Sequence, residues 1–103
     1  MFNILVVEDD KNLRKLMVTS LTKNQYHTFE AINGEAALEV LDKNYIDLVI
    51  SDVKMPEMDG YELVKDLRDS QYEIPIMLIT AKAGIEDKKL GFLLGADDYM
   101  VKP

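Results

Sequence analysis

Short apolar runs without polar interruption recur along the chain, at residues 4–7, 48–50 and 76–79. Strands that are buried on both faces have this pattern, whereas strands with one solvated face alternate apolar and polar residues. Residues 27–32, where His, Thr and Glu interrupt the apolar positions, and residues 99–101 complete the set. The pattern predicts five strands, with the more polar second strand at an edge of the sheet.

Between the predicted strands, apolar residues recur at intervals of three or four, which is typical of a helix with one apolar face. The four sets are Leu13, Leu16, Met17 and Leu21; Ala37, Leu38 and Leu41; Leu63, Val64 and Leu67; and Leu90, Leu93 and Leu94. Strands and helices that alternate in this way form a parallel sheet with helices on both faces. The predicted fold class is therefore α/β, a doubly wound sheet of five parallel strands.

Local signals at the segment ends agree with this alternation. Asp10 and Asn33 stand where an N-cap is expected, and Gly95 stands where a helix would end. The pairs at residues 59–60 and 74–75 also interrupt the periodic segments. Each predicted helix therefore has at least one plausible boundary.

Composition narrows the class of protein. The chain of 103 residues is short enough for one domain, and 19 acidic against 12 basic residues give a net charge of −7. This charge disfavours nucleic acid as a partner of these residues. No cysteine is present, and no apolar run approaches the ~20 residues of a membrane span. We therefore expect a cytoplasmic protein without a membrane partner.

Several polar residues directly follow or end the predicted strands. They are the acidic residues 8–10, Asp52, Thr80 and Lys102. Because parallel strands end at one edge of the sheet, these side chains are expected to lie together. Neighbouring carboxylates raise one another's pKa unless a cation relieves their repulsion, and an all-oxygen ligand set favours Mg²⁺. Asp10 is better explained as a helix cap than as a ligand.

The chemistry available at this edge is limited. The lone His27 is predicted to be a surface residue, and the sequence contains neither a cysteine nucleophile nor a glycine-rich phosphate loop. A carboxylate nucleophile with a metal, a lysine and a hydroxyl suits phosphoryl transfer. Asp52 would attack phosphorus, Lys102 and Mg²⁺ would neutralise the oxygens, and Thr80 would donate a hydrogen bond.

Four segments in order carry a resemblance to a known family. They are residues 4–10, 52–60, 80–82 and 95–103. Together they resemble the receiver domain of bacterial two-component response regulators, and the resemblance covers the whole chain. The ending Gly-Ala-Asp-Asp-Tyr-x-x-Lys-Pro is similar to the branch whose receivers precede a winged-helix DNA-binding domain. The longer protein would then regulate transcription.

The resemblance implies roles for the clustered residues. Asp52 would accept a phosphoryl group from a sensor histidine kinase, and Mg²⁺ would be held by Asp9, Asp52 and the backbone carbonyl of Lys54. Glu8 would act on the metal through water. Lys102 would pair with the acidic cluster and then with the phosphoryl group, and its bond to the following proline would be cis. The implied sheet order is 2-1-3-4-5.

The resemblance also implies a switch. On phosphorylation, the Thr80 hydroxyl would move inward and Tyr99 would turn into the space it leaves. Tyr99 could instead simply pack on the last helix. Lys54 and Lys82 would flank the phosphoryl entrance and tune dephosphorylation, although both could equally be solvated surface residues. A complete receiver would form a homodimer through its fourth helix and fifth strand.

A receiver normally has one more helix after its fifth strand, and that helix is expected to be missing here. Residues 1–103 would then be a truncated receiver domain with no effector domain. Met100 and Val101 would be left uncovered, and the chain would be less stable than a longer version or would self-associate.

Three other functions share part of this pattern. A pseudo-receiver would bind proteins without phosphorylation, but it would be expected to have lost the acceptor or the acids. An aspartate phosphatase of the haloacid dehalogenase type would need a second Asp where this chain has Lys54. A flavodoxin-like electron carrier would place its flavin phosphate at residues 8–10, whose charge repels it. We therefore expect a phosphoacceptor rather than an enzyme.

Overall fold

The computed structural model describes residues 1–55, 57–80 and 85–101, and only the backbone of residues 85–87. Within these ranges, five strands alternate with four helices. The elements are β1 (Asn3–Val7), α1 (Lys11–Lys23), β2 (His27–Ala31), α2 (Gly34–Lys43), β3 (Leu48–Asp52), α3 (Gly60–Asp69), β4 (Ile76–Thr80), α4 (Ile85–Leu94) and β5 (Asp98–Val101). All neighbouring strands are parallel, in the order β2-β1-β3-β4-β5. The predicted fold class, the strand order and the edge position of the second strand are confirmed.

One face of the sheet carries the main apolar core. Leu5, Val49 and Leu78 from the three central strands are fully buried there, and α3 adds Leu63 and Leu67. Helix α2 contributes to the same cluster, whereas α1 contributes no buried residue to it. The two faces of the sheet are therefore covered unequally.

The predicted helix boundaries are confirmed by side-chain caps. Asp10 accepts hydrogen bonds from the first backbone amides of α1, and Asn33 accepts one at the start of α2. Asp59 caps α3 in the same way. Gly95 follows α4 with a φ of 115°, a left-handed conformation that favours glycine. Local sequence signals thus set where these helices begin or end.

The predicted helices α1 and α4 are confirmed, but their apolar residues are covered only in part. Leu93 is 84% exposed and Leu16 is 66% exposed. Helix α4 approaches the sheet through Gly91, which is buried and lies against Leu78 and Tyr99. Because a glycine brings the helix backbone close to the strands, Leu90 and Leu93 remain at the surface, whereas Leu94 packs against the edge of the core.

An apolar groove of about 320 Å³ lies on the α1 side of the sheet. Its lining, which we call the α1–β5 groove, consists of Leu16, Met17, Ser20, Leu21, Ile50, Met77, Ile79 and Met100. Met100 is 50% exposed and Val101 is 39% exposed, as expected from the sequence.

Among the described helices, none is long and apolar enough to cross a lipid bilayer.

The start of α3 is packed tightly against the end of β3. A Cβ atom added to Gly60 would collide with the backbone carbonyl of Asp52 and would lie 2.9 Å from the Cα of Val53. The Gly60 amide also donates a 2.8 Å hydrogen bond to the Val53 carbonyl. This contact fixes the helix to the residue that ends the central strand.

We expect Gly60→Ala to lower the free energy of unfolding by about 1–3 kcal/mol, because neither backbone segment can move without breaking the sheet or the helix start. Gly34→Ala is the matched comparison and should lower stability less: it also changes the first residue of a helix, but its Cβ would meet side-chain atoms of Met58 and no backbone. Urea unfolding of both variants measures the difference. Equal losses of stability would contradict this description of the contact.

Candidate functional site

Three carboxylates meet at the carboxyl ends of β1 and β3. Glu8, Asp9 and Asp52 each place one carboxylate oxygen within 4.8 Å of the others. Glu8 and Asp52 are buried, whereas Asp9 is exposed. The pairing of β1 with β3 joins acids that are more than 40 positions apart in sequence, as the parallel sheet predicts.

Glu8 is held by hydrogen bonds at both its backbone and its side chain. Its amide donates to the carbonyl of Ala31 at 3.0 Å, and its carbonyl accepts from Nη1 of Arg14 at 2.8 Å. Its Oε2 accepts from the amide of Asp10 at 3.1 Å. Arg14 also pairs with Glu30 at 3.1 Å. These contacts position a carboxylate that burial alone would disfavour.

Asp10 has a different role from its two acidic neighbours. Its Oδ1 accepts from the amides of Asn12 at 2.9 Å and Leu13 at 3.1 Å. A side chain that caps the first turn in this way satisfies amides that the helix itself leaves without acceptors. The structural interpretation of Asp10 is confirmed, and the acidic cluster consists of the other three residues.

Asp52 is the last residue of β3 and is held at its backbone. The Ser51 hydroxyl donates to the Asp52 carbonyl at 2.9 Å, and the Val53 amide donates to the Ile79 carbonyl of β4 at 3.0 Å. Gly60 packs against the backbone carbonyl of Asp52, as described above. The carboxylate therefore stands at a fixed point of the sheet edge.

The spacing of the acidic cluster fits a small divalent cation. Magnesium binds oxygen at about 2.0–2.1 Å, so ligands of one ion lie roughly 3–4 Å apart. Oxygens that already lie within 4.8 Å need only small side-chain movements to reach that spacing. Next to the cluster, a cavity of about 360 Å³ is lined by Asp9, Lys54, Met55 and Asp59. The donor set and the adjacent space are both suitable for Mg²⁺.

The two residues expected to switch lie on one face of the sheet. Thr80 and Tyr99 are both buried, and Tyr99 is 7% exposed. Tyr99 pairs with Leu78, and Val101 pairs with Thr80, so the alternation of side chains places all four residues on the α4 side. Tyr99 is therefore turned into the protein.

The other residues considered in the sequence analysis either lie at the surface or fall outside the described residues. Lys54 is exposed beside the acidic cluster. His27 is an exposed residue of β2 whose ring is tilted against that of Phe29, with ring centroids 4.7 Å apart. The surface interpretation of His27 is confirmed. Lys82, Lys102 and the bond between residues 102 and 103 lie outside the described residues.

Sequence reasoning missed one residue of this region. The hydroxyl of Tyr61, in the first turn of α3, lies 3.2 Å from the hydroxyl of Tyr99. The two residues are 38 positions apart, and no periodicity relates them. The only available signal was that an aromatic residue directly follows Gly60, at the start of the helix after Asp52.

The known sequences that are similar to this chain include a transcriptional regulator and a response regulator. The family model described as "Response regulator receiver domain" matches residues 4–103. A probable transcriptional regulator, ycf27 of Cyanidium caldarium, is 44% identical over 98% of this chain. The heme response regulator HssR of Staphylococcus epidermidis is 40% identical over 100% of it. The chain spans only 40% and 46% of the lengths of these relatives.

Solved structures agree with the sequence relatives. The receiver domain of the Francisella response regulator 1452 has a TM-score of 0.96 at 33% identity, with 100% of this chain and 85% of that chain covered. The response regulator TrrA of Thermotoga maritima, solved in complex with Mg²⁺ and BeF, has a TM-score of 0.89 at 36% identity, with coverages of 100% and 88%. The matched family is a signalling domain rather than an enzyme family. From the match over nearly all its length and from its fold, the chain belongs to the response regulator receiver domain family.

Proposed function

We propose that Asp52 is the phosphoacceptor of this receiver and that a sensor histidine kinase supplies the phosphoryl group. The observation that carries the proposal is the acidic cluster of Glu8, Asp9 and Asp52 at the carboxyl edge of the sheet. Among these acids, Asp52 alone ends a central strand and is clamped by the start of α3. The chain therefore holds one carboxylate steady beside two others that can share a cation.

In the proposed reaction, an Asp52 carboxylate oxygen forms a bond to phosphorus while the bond from phosphorus to the kinase histidine nitrogen breaks. The product is an aspartyl phosphate, and the nitrogen keeps the bonding electron pair. Bound Mg²⁺ would supply positive charge that offsets the phosphoryl oxygens. Glu8, Asp9, Asp52 and the backbone carbonyl of Lys54 would hold it, and Lys102 would add a second positive charge.

The proposed readout involves Thr80 and Tyr99. The Thr80 hydroxyl would donate a hydrogen bond to the new phosphoryl oxygens, and Tyr99 would occupy the inward position. Both side chains lie on the face of the sheet that α3 and α4 cover. A change at the phosphoacceptor would therefore reach α4 and β5 through packed groups.

The output proposed for the whole protein is control of transcription. The two curated relatives are described as a transcriptional regulator and a response regulator, and each is more than twice as long as this chain. A homodimer through α4 and β5 fits the exposed apolar residues there, such as Leu93 and Val101. We also propose that the protein resides in the cytoplasm. We further propose that the domain continues beyond residue 103 and that a further helix packs in the α1–β5 groove.

A pseudo-receiver, which would bind partners without phosphorylation, is the second candidate function. The exposed α4–β5 surface alone would serve such a module equally well. The acidic cluster favours the phosphoacceptor, because a binding module gains nothing from holding three like charges together.

Incubation with Mg²⁺ and acetyl phosphate tests the acceptor. We expect the mass of the chain to rise by one phosphoryl group, with the product labile in base, and we expect Asp52→Asn to abolish the increase because an amide oxygen is a poor nucleophile. Asp42→Asn, which changes an exposed acid of α2, is the matched control and should be phosphorylated normally. Intact-protein mass spectrometry gives the result, and phosphorylation of Asp52→Asn would refute the assignment.

Lys54 offers a second test, because its side chain is exposed beside Asp9 and Asp59. We expect Lys54→Glu to change the lifetime of the phosphorylated form severalfold, since the new carboxylate alters the field that an attacking water experiences. Decay of the aspartyl phosphate is followed by ³¹P NMR. Lys65→Glu, an exposed lysine of α3, is the control. Identical decay rates in all three proteins would show that Lys54 is only a solvated surface residue.

A further inference from the structure

Among the described residues, Tyr61, Gly91 and Phe92 surround the side chain of Tyr99. On one side, its hydroxyl lies 3.2 Å from that of Tyr61. On another, a Cβ atom at Gly91 would lie 3.1 Å from its Cδ2 atom, so glycine leaves the space that the ring occupies. The ring of Phe92 lies on α4 at a centroid distance of 6.5 Å. The inward position of Tyr99 is therefore shaped by both α3 and α4.

Tyr61 is attached to a rigid part of the molecule. Helix α3 is anchored by Leu63, Val64 and Leu67, which are fully buried, and Tyr61 itself packs against the core. The preceding residue, Gly60, contacts the backbone of Asp52. One helical turn thus touches both the phosphoacceptor and the tyrosine expected to switch.

We infer that Tyr61 is a positioning residue whose hydroxyl holds Tyr99 inward and so biases the receiver toward its phosphorylated-like conformation. This inference rests on the proposed phosphoacceptor function of Asp52. If Tyr99 turned outward, its hydroxyl would leave the Tyr61 hydroxyl, because α3 cannot follow it without disturbing the core. The hydrogen bond therefore stabilises one of the two orientations and not the other, which is the condition for shifting their populations.

The size of the effect follows from the strength of one hydrogen bond. A net contribution of about 0.5–1.5 kcal/mol corresponds to about a twofold to tenfold change in the ratio of the two orientations. A ligand that binds the inward state better would bind with an apparent affinity that changes by up to the same factor. Beryllofluoride with Mg²⁺, which mimics a phosphoryl group on a carboxylate, is a suitable probe.

The first measurement needs no phosphoryl donor. With 3-fluorotyrosine incorporated at position 99, ¹⁹F NMR compares the wild-type chain with Tyr61→Phe, which keeps the ring and removes only the hydroxyl. We expect the Tyr99 resonance of Tyr61→Phe to shift toward that of a solvent-exposed fluorotyrosine. Tyr72→Phe, which removes a hydroxyl from the loop after α3, is the control and should leave the resonance unchanged. An unchanged resonance in Tyr61→Phe would overturn the inference.

The second measurement is a double-mutant cycle with beryllofluoride and Mg²⁺. We expect the apparent Kd to rise, by up to about tenfold, in Tyr61→Phe and in Tyr99→Phe, with no further rise in the double variant, because both changes remove the same bond. Purely additive effects, or a loss of affinity that follows a loss of stability in urea unfolding, would overturn the positioning role.

The two measurements separate this inference from the function on which it rests. If the wild-type chain failed to bind beryllofluoride and failed to be phosphorylated at Asp52, the phosphoacceptor proposal would be wrong. The ¹⁹F comparison would still decide whether Tyr61 positions Tyr99. If the wild type bound beryllofluoride and Tyr61→Phe bound it equally well, only the positioning role would be contradicted.

Discussion

The fold holds three neighbouring carboxylates together at the carboxyl edge of the sheet despite their electrostatic repulsion. The three carboxylates each place one oxygen within 4.8 Å of the others. Two unit charges at that distance would repel one another by on the order of 3 kcal/mol at an effective dielectric constant near 20. For Glu8 and Asp52, burial adds to that cost, whereas water screens the exposed Asp9. The pairing of β1 with β3 and the apolar core beneath them hold these groups together. In the proposed function, a cation and then a phosphoryl group with its cation would change the charge at this one point.

A short series of contacts connects the acidic cluster to α4 and β5. Asp52 ends β3, Gly60 packs on its backbone, and the next residue, Tyr61, lies within hydrogen-bonding distance of Tyr99. Tyr99 in turn lies against Gly91 of α4. Each step is a contact between groups with little freedom to move, so a small displacement at the carboxyl edge has a short path to α4 and β5. The proposed switch could act through these contacts, and the contact between Tyr61 and Tyr99 lies in the middle of the series.

Much of this arrangement could be predicted from the sequence, because it depends on local or periodic signals. Uninterrupted apolar runs identified the central strands, the polar residues of β2 placed it at the edge, and parallel strands required the acidic residues to meet. Asp10 was recognisable as a cap because its signal is contained within four residues. These features need no knowledge of which side chains touch across the fold.

Other features were not predictable because they depend on how helices are seated. The apolar residues of α4 resemble a buried face, yet a glycine makes the close contact and Leu93 is left at the surface. The bond between Tyr61 and Tyr99 joins elements that only the packing of α3 beside β5 brings together. Periodicity reports which residues are apolar, but not which small residue lets a helix approach a sheet.

Urea unfolding with and without Mg²⁺ measures how much repulsion within the acidic cluster costs the folded chain. If repulsion within the acidic cluster is relieved by the cation, Mg²⁺ will raise the free energy of unfolding, by about 2.7 kcal/mol at a concentration 100-fold above Kd. Without Mg²⁺, Asp52→Asn will be more stable than the wild type, because it removes one of the repelling charges. A wild-type chain whose stability is unaffected by Mg²⁺, together with an Asp52→Asn variant that is no more stable than the wild type, would contradict the account.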